Sequence, residues 1–161
     1  MANVPVVRQV AWISIIPQVL IYLVTGYIYY ELFPGTDPFF LTTLSYVIVI
    51  IVVRNAVAKK HRKGIKLFKQ SKFEEAIPLF EESVAYFTRN AWIDKYRYIT
   101  IMSSSKMSYR EMGLCNIAFC YSQINQGEKA KEYYNLVLKE YPENGLAIAA
   151  LRMLNASSQH G

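Results

Sequence analysis

Cysteine and histidine are scarce, two of each in 161 residues. Cys115 and Cys120 stand five positions apart, about 140° round a helix axis. That geometry suits neither a disulfide nor a shared metal, and core packing is the role expected of both thiols. His61 and His160 are too few to complete a zinc site with them. The seven glycines are scattered, so no glycine loop is present to cradle a phosphate. No Ser–His–acid or Cys–His set can be assembled. The expectation is a protein without enzymatic activity, metal or cofactor.

Charge is missing as well, in two defined places. No Asp, Glu, Lys or Arg lies between Arg8 and Glu31, nor between Asp37 and Arg54. Of the 18 Lys and Arg, 16 follow residue 57, as do 10 of the 12 Asp and Glu. The chain is thus expected to have two chemically distinct parts, 1–58 and 59–161.

The first uncharged run, 9–30, has 22 residues, close to the ~20 that cross a ~30 Å hydrocarbon core as helix. The second covers 38–53 and continues to 58 past Arg54, whose side chain can reach the headgroups from a helix end. Tyr27, Tyr29, Tyr30, Phe39 and Phe40 flank the junction, as interfacial aromatics do. A signal peptide fits poorly, because the leading segment holds only Arg8 and no small-residue cleavage site follows. A buried core hairpin is the alternative, disfavoured by length.

Residues 31–38, ELFPGTDP, read as a turn at Pro34-Gly35, with Pro38 opening the second helix. This loop carries Glu31 and Asp37 and no cation. The opposite flanks carry Arg8 and the patch Arg54, Lys59, Lys60, Arg62 and Lys63. The positive-inside bias then predicts both termini in the cytosol and an integral protein of the plasma or inner membrane. From Arg54 to Lys72 there are eight Lys and Arg and no carboxylate. Next to a membrane helix such a patch attracts anionic headgroups, at about 1 kcal/mol per charge, and this reading is preferred to nucleic acid.

Ser14, Gln18, Tyr22 and Gly26 form one stripe at four-residue spacing, and Thr42 and Tyr46 a second. Small and polar residues in a membrane helix face another helix, either within the hairpin or in another membrane subunit. Pro17 is a possible kink. No ionisable residue lies at mid-membrane depth to carry a proton or ion.

The second part reads as helices. Gly64–Gln70 leads into Ser71, whose spacing to Glu74 suggests a capping box, followed by Phe73, Ala76, Ile77, Phe80, Val84 and Phe87 at helical spacing. Ser108 and Glu111 suggest a second box, and Gly127 is expected to end that helix. Tyr133, Tyr134, Val137, Leu138 and Tyr141 mark a further amphipathic helix, stopped by Pro142. Residues 145–156 form a closing helix.

The recurrence resembles tetratricopeptide repeats. In 111–144 the family positions hold Leu114, Ile117, Ala118 and Tyr121, then Ala130, Tyr134 and Val137, with Pro142 closing the unit. In 57–90 they hold Gly64 and Leu67, then Ala76, Phe80 and Ser83. Lys60 takes a usual apolar position there and Thr88 the proline position. The small residues let backbones approach and the large ones fill the space between. The first helix is expected to run unbroken out of the membrane. About three units are usually needed for a stable stack, so insert 91–110 and the closing helix, or a second copy in a homo-oligomer, must complete the core.

The resemblance implies an all-α, membrane-anchored scaffold that binds a protein or peptide. The implied concave face holds His61, Ile65, Phe68 and Lys69, then Asn116, Phe119 and Gln123. With His61 and Ile65 where the family's carboxylate clamp needs Lys and Asn, that clamp is not expected. In the insert, Trp92, Ile93, Tyr96 and Ile99 fit one helical face, and Ser103–Ser105 break it. The insert packs on the repeats as an extra helix, or else Trp92 and Tyr96 form a docking surface or a membrane-surface contact. Two functions follow: a membrane-tethered adaptor, or an accessory subunit whose hairpin makes the main contacts.

Overall fold

The computed structural model describes residues 10–158, and the side chains of 10–156. Arg8 and His160, with the first residue of the expected 9–30 span, lie outside the described residues. Among the described residues the chain is helical. The helices are α1 Ile15–Leu32, α2 Pro38–Val57, α3 Lys59–Lys69, α4 Phe73–Arg89, α5 Ala91–Lys95, α6 Arg97–Thr100, α7 Tyr109–Gln123, α8 Gly127–Glu140 and α9 Gly145–Ser158. A short 3-10 turn, Trp12–Ser14, precedes α1. They fall into two compact units: 10–59 with 92–106, and 60–91 with 107–158.

In the first unit α1 and α2 are joined by a turn in which Gly35 takes φ +96°. Asp37 caps α2, its carboxylate accepting from the amides of Phe39 at 2.9 Å and Phe40 at 3.4 Å, and Pro38 is the first helical residue. Proline suits this position because its missing N–H would have had no partner there. Pro17 lies in the first turn of α1, where it breaks no helical bond. The Tyr22 and Tyr46 rings meet edge to face at 5.7 Å, and a Cβ on Gly26 would stand 3.3 Å from Thr42 Oγ1. Tyr22, Gly26, Thr42 and Tyr46 of the stripes read from sequence thus meet within the chain, whereas Ser14 bonds the Ala11 carbonyl and Gln18 the Tyr98 carbonyl. Most of their outward surface is uncovered: Trp12–Leu32 and Pro38–Val57 are apolar and long enough to cross a membrane, with 6% of each apolar window buried.

α2 does not run on unbroken. It ends at Val57, Ala58 leaves helical geometry with ψ 23°, and α3 begins at Lys59. No glycine or proline stands at that break.

In the second unit, α3–α4 and α7–α8 are helix pairs closed by the same turn. Ser71 and Asn125 both take φ +59°, and the following amides reach back five residues, Lys72 N to Leu67 O at 3.0 Å and Gln126 N to Tyr121 O at 2.9 Å. This is the left-handed helix ending with its reverse bond. Two expectations are corrected. Ser71 caps no helix: α4 starts at Phe73 after Lys72, with no side-chain cap. A capping serine needs extended backbone, and the left-handed turn excludes it. Nor does Gly127 end α7; Asn125 makes the turn, and Gly127 opens α8.

With Ser71 matched to Asn125, 54 positions on, Gly64 matches Ala118, Ala76 matches Ala130, and Phe80 matches Tyr134. All six of these helical residues are buried. α7 buries side chains toward two neighbours, including Leu114, Cys115, Ile117, Ala118 and Cys120. One core joins Phe68, Ala76, Ile77 and Phe80 to Ile117 and Cys120. The other joins Leu114, Cys115 and Ala118 to Tyr134, Val137 and Ala147 of α9. A Cβ at Gly113 would come within 2.6 Å of Val84 Cγ2, so α4 and α7 pack close despite the insert between them. The insert, expected as an extra helix packed on the second part, groups elsewhere. Residues 92–106 belong to the unit of α1 and α2.

The capping box at Ser108 is present in full, with Glu111 N donating to Ser108 Oγ at 3.0 Å and Ser108 N to Glu111 Oε2 at 3.2 Å. Ser108→Ala is expected to cost about 1 kcal/mol, measured as a lowered unfolding midpoint in detergent micelles. An unchanged midpoint would mean the cap is replaced by water at no loss.

Candidate functional site

The face suggested for partner binding begins on α3. The basic run Lys59–Lys69 forms a strongly one-sided helix, turning His61, Gly64 and Phe68 inward. His61 is 5% exposed. Its ring lies 5.6 Å from Phe80 and 5.2 Å from Tyr109, and Nδ1 is 3.4 Å from the Ser83 hydroxyl. Burial pulls its pKa down to about 4, so the ring is neutral at pH 7. Phe68 is 5% exposed and sits among Phe73, Phe80 and Phe119, with the Phe119 ring 5.1 Å away. These two residues are corrected from surface to interior. The apolar side of α3 closes onto α4 and α7, because two short helix pairs have no other apolar mass to bury.

Ile65, Asn116 and Phe119 are half-buried, while Lys69 and Gln123 are exposed. Lys69 and Gln123 hold matched positions at the ends of α3 and α7. Of the residues expected on that face from α3 and α7, these two are the exposed ones. Trp92 and Tyr96 are exposed, at 61% and 53%, but belong to the other unit.

The basic patch is likewise divided. Arg54 donates to the carbonyls of Ile101 at 3.4 Å and Met102 at 2.5 Å. Lys60 pairs with Glu82 at 2.5 Å. Lys59, Arg62 and Lys63 are exposed.

Three polar contacts escaped sequence reasoning. Arg110 forks onto the Glu140 carboxylate through Nη2 and, at 2.9 Å, Nε, while Nη1 donates to Thr88 at 2.6 Å. Asn144 donates to Glu111 at 2.8 Å and accepts from the Ala147 amide at 2.8 Å. Tyr133 donates to Glu81 at 3.2 Å. No local pattern signals Arg110 on Glu140 and Thr88, Asn144 on Glu111, or Tyr133 on Glu81, which link residues 22 to 52 positions apart; the Asn144–Ala147 bond, three positions apart just before α9, is a local capping contact.

Cys115 and Cys120 are buried. Burial pushes both thiols up to about 12, helped at Cys115 by the Glu111 charge and opposed by the Asn144 amide. Neither forms a thiolate near neutrality, so neither offers a nucleophile. Among the described residues no three of His, Cys, Asp and Glu come together as metal ligands. No protein-family model, curated protein or solved structure matches the chain.

Proposed function

We propose that this chain is a membrane-tethered adaptor. α1 and α2 span the bilayer as a hairpin, and the second unit, a tetratricopeptide-like pair of repeats closed by α9, holds a protein partner on the cytosolic side. The observation that carries the membrane part is the bare apolar surface of α1 and α2, 6% buried. A core helix of a water-soluble protein would be covered on most of its circumference. The orientation rests on charge: Glu31 and Asp37 in the short loop, and Arg54, Lys59, Lys60, Arg62 and Lys63 at the other end. The repeat reading draws on the two matched left-handed turns and the matched small residues Gly64 and Ala118, Ala76 and Ala130. The mechanism is tethering, which raises the effective concentration of whatever the repeat unit holds. Anionic headgroups are natural neighbours of Lys59 and Lys63.

A second reading makes the chain an accessory subunit whose apolar helices form the main contacts. The burial of His61 and Phe68 favours it, since less of the repeat face remains open.

Crosslinking in native membranes followed by co-purification separates the two. Lys69→Glu with Gln123→Glu is expected to lose most of the captured protein if the repeat face binds. Full retention would favour the subunit reading. For topology, Thr36→Cys in the loop is expected to react with an impermeant maleimide from outside intact cells, and Lys129→Cys on α8 only after lysis. Labelling of Lys129→Cys in intact cells would overturn the orientation.

A further inference from the structure

Residues 92–106 are fastened to α1 and α2 at several points. Gln18 Nε2 donates to the Tyr98 carbonyl at 3.4 Å, and Arg54 holds the Ile101 and Met102 carbonyls at 3.4 and 2.5 Å. The Ala11 amide donates to the Ser104 carbonyl at 2.9 Å, next to an antiparallel bridge between Val10 and Ser105. Ile101 is fully buried.

The attachment fixes a depth. Tyr22 faces Tyr46 and Gly26 faces Thr42, so the antiparallel register puts Ser14 level with Arg54 and Gln18 one turn further in. Counted from Trp12, where the apolar length begins, Gln18 is six residues along, about 9 Å at 1.5 Å per residue. A segment bonded there lies within the boundary of headgroups and acyl chains whenever α1 and α2 span.

The segment's backbone is suited to that depth. Two short helices and a loop leave carbonyls without helical partners, which lipid cannot satisfy. Here side chains meet them. Arg97 donates to the carbonyls of Asp94 at 3.1 Å, Ser105 at 3.1 Å and Lys106 at 2.6 Å. Thr100 donates to Ile93 at 2.7 Å, and Gln18 and Arg54 cover Tyr98, Ile101 and Met102. Meanwhile Trp92, Tyr96 and Ile99, at helical spacing, stay 61%, 53% and 52% exposed. They are the exposed large apolar side chains of this segment.

We infer that residues 92–106 are an interfacial element whose Trp92–Tyr96–Ile99 face is sunk into the lipid surface of the cytosolic leaflet, clasped there by Arg54 and Gln18. The inference rests on the reading that α1 and α2 span the membrane. The occupant is lipid because the clasp sets the face at bilayer depth. An aromatic ring belt of this kind suits the headgroup boundary, and amphipathic helices at that boundary bury about 5–10 Å. The chain therefore enters the bilayer surface a second time between its two helix pairs.

The test uses the full chain in vesicles of phosphatidylcholine and phosphatidylglycerol. Trp12→Phe leaves Trp92 as the sole tryptophan. Its emission is expected to shift to the blue, to be several-fold less quenched by aqueous iodide than free indole, and to be quenched more by lipids spin-labelled near the headgroup than near the chain end. Adding Arg54→Gln is expected to restore iodide access several-fold. Iodide quenching as strong as that of free indole, with no effect of lipid labels, would overturn the inference. So would protection in native membranes that is lost in pure lipid vesicles, which would identify a protein as the covering partner. Unchanged iodide access in the Arg54→Gln variant would overturn the clasp. The companion variant Trp92→Phe reports Trp12. If Trp12 is lipid-quenched and the protein survives an alkaline wash while Trp92 remains wet, only this inference fails. If the protein washes off with Trp12 wet, the membrane-spanning reading fails and takes the inference with it.

Discussion

Phe80→Ala is expected to remove about 3–5 kcal/mol of stability from the second unit, 60–91 with 107–158. Phe80 is fully buried and contacts both α3 rings, His61 at 5.6 Å and Phe68 at 6.3 Å. Its ring also fills the space that Gly64 leaves open: a Cβ built on Gly64 would meet it at 2.8 Å. Truncation therefore costs the transfer of the ring and leaves a cavity between α3 and α4. The reverse error, Gly64→Ala, overpacks the same site and is expected to cost about 1–3 kcal/mol. Because the two positions touch, they should not add. Gly64→Ala with Phe80→Leu is expected to be more stable than the sum of the single changes, since the smaller side chain admits the methyl. Urea unfolding in detergent micelles, followed by circular dichroism, reads the wild type, Phe80→Ala, Gly64→Ala, Phe80→Leu and the double variant. Strict additivity would mean that α3 does not pack on Phe80.

Acid is expected to destabilise the same unit through His61. Its folded pKa is about 4, lowered from 6.5 by burial. A group with a depressed folded pKa holds fewer protons folded than unfolded. Its contribution is complete above pH 6.5 and is lost as pH falls from 6.5 to about 4. Linkage gives about 2 kcal/mol lost by pH 5 and about 3 kcal/mol by pH 4, as orders of magnitude. Carboxylates begin to titrate in this range as well, so the comparison is with His61→Phe, which keeps an aromatic ring among Phe80 and Tyr109 and removes the titration. The difference in unfolding free energy between the two proteins is expected to shift by about 2 kcal/mol between pH 7 and pH 5. A constant difference would mean that water reaches the imidazole in the folded protein.

Patterns that depend on near neighbours along the chain were readable. Length and absence of charge marked both apolar helices, Pro38 marked the start of α2, and the Ser108–Glu111 spacing marked the start of α7. Helical periodicity marked the cores of α4 and α8. The same local rules failed where two of them competed for one residue. Ser71 has the spacing of a capping serine, yet the chain must also reverse within three residues of Lys69, and the left-handed turn took Ser71 for itself. Asn125 did the same work at the end of α7, leaving Gly127 free to begin a helix. The resemblance implied that His61 and Phe68 on α3 lie on an open face, because matched positions along a chain do not tell what will cover them.

The sequence by itself determined the helical class, the two uncharged spans and the separation into an apolar and a charged part. Each follows from composition and from contacts within a turn or two of helix. Only the tertiary structure decided that α4 and α7 close on each other across the insert, that His61 and Phe68 lie inside, and that residues 92–106 side with α1 and α2. Those outcomes turn on Arg54 reaching Ile101 and Met102, on Gly113 admitting Val84, and on Arg110 reaching Thr88 and Glu140. Such pairings join residues tens of positions apart, and no periodicity along the chain records which distant groups will meet.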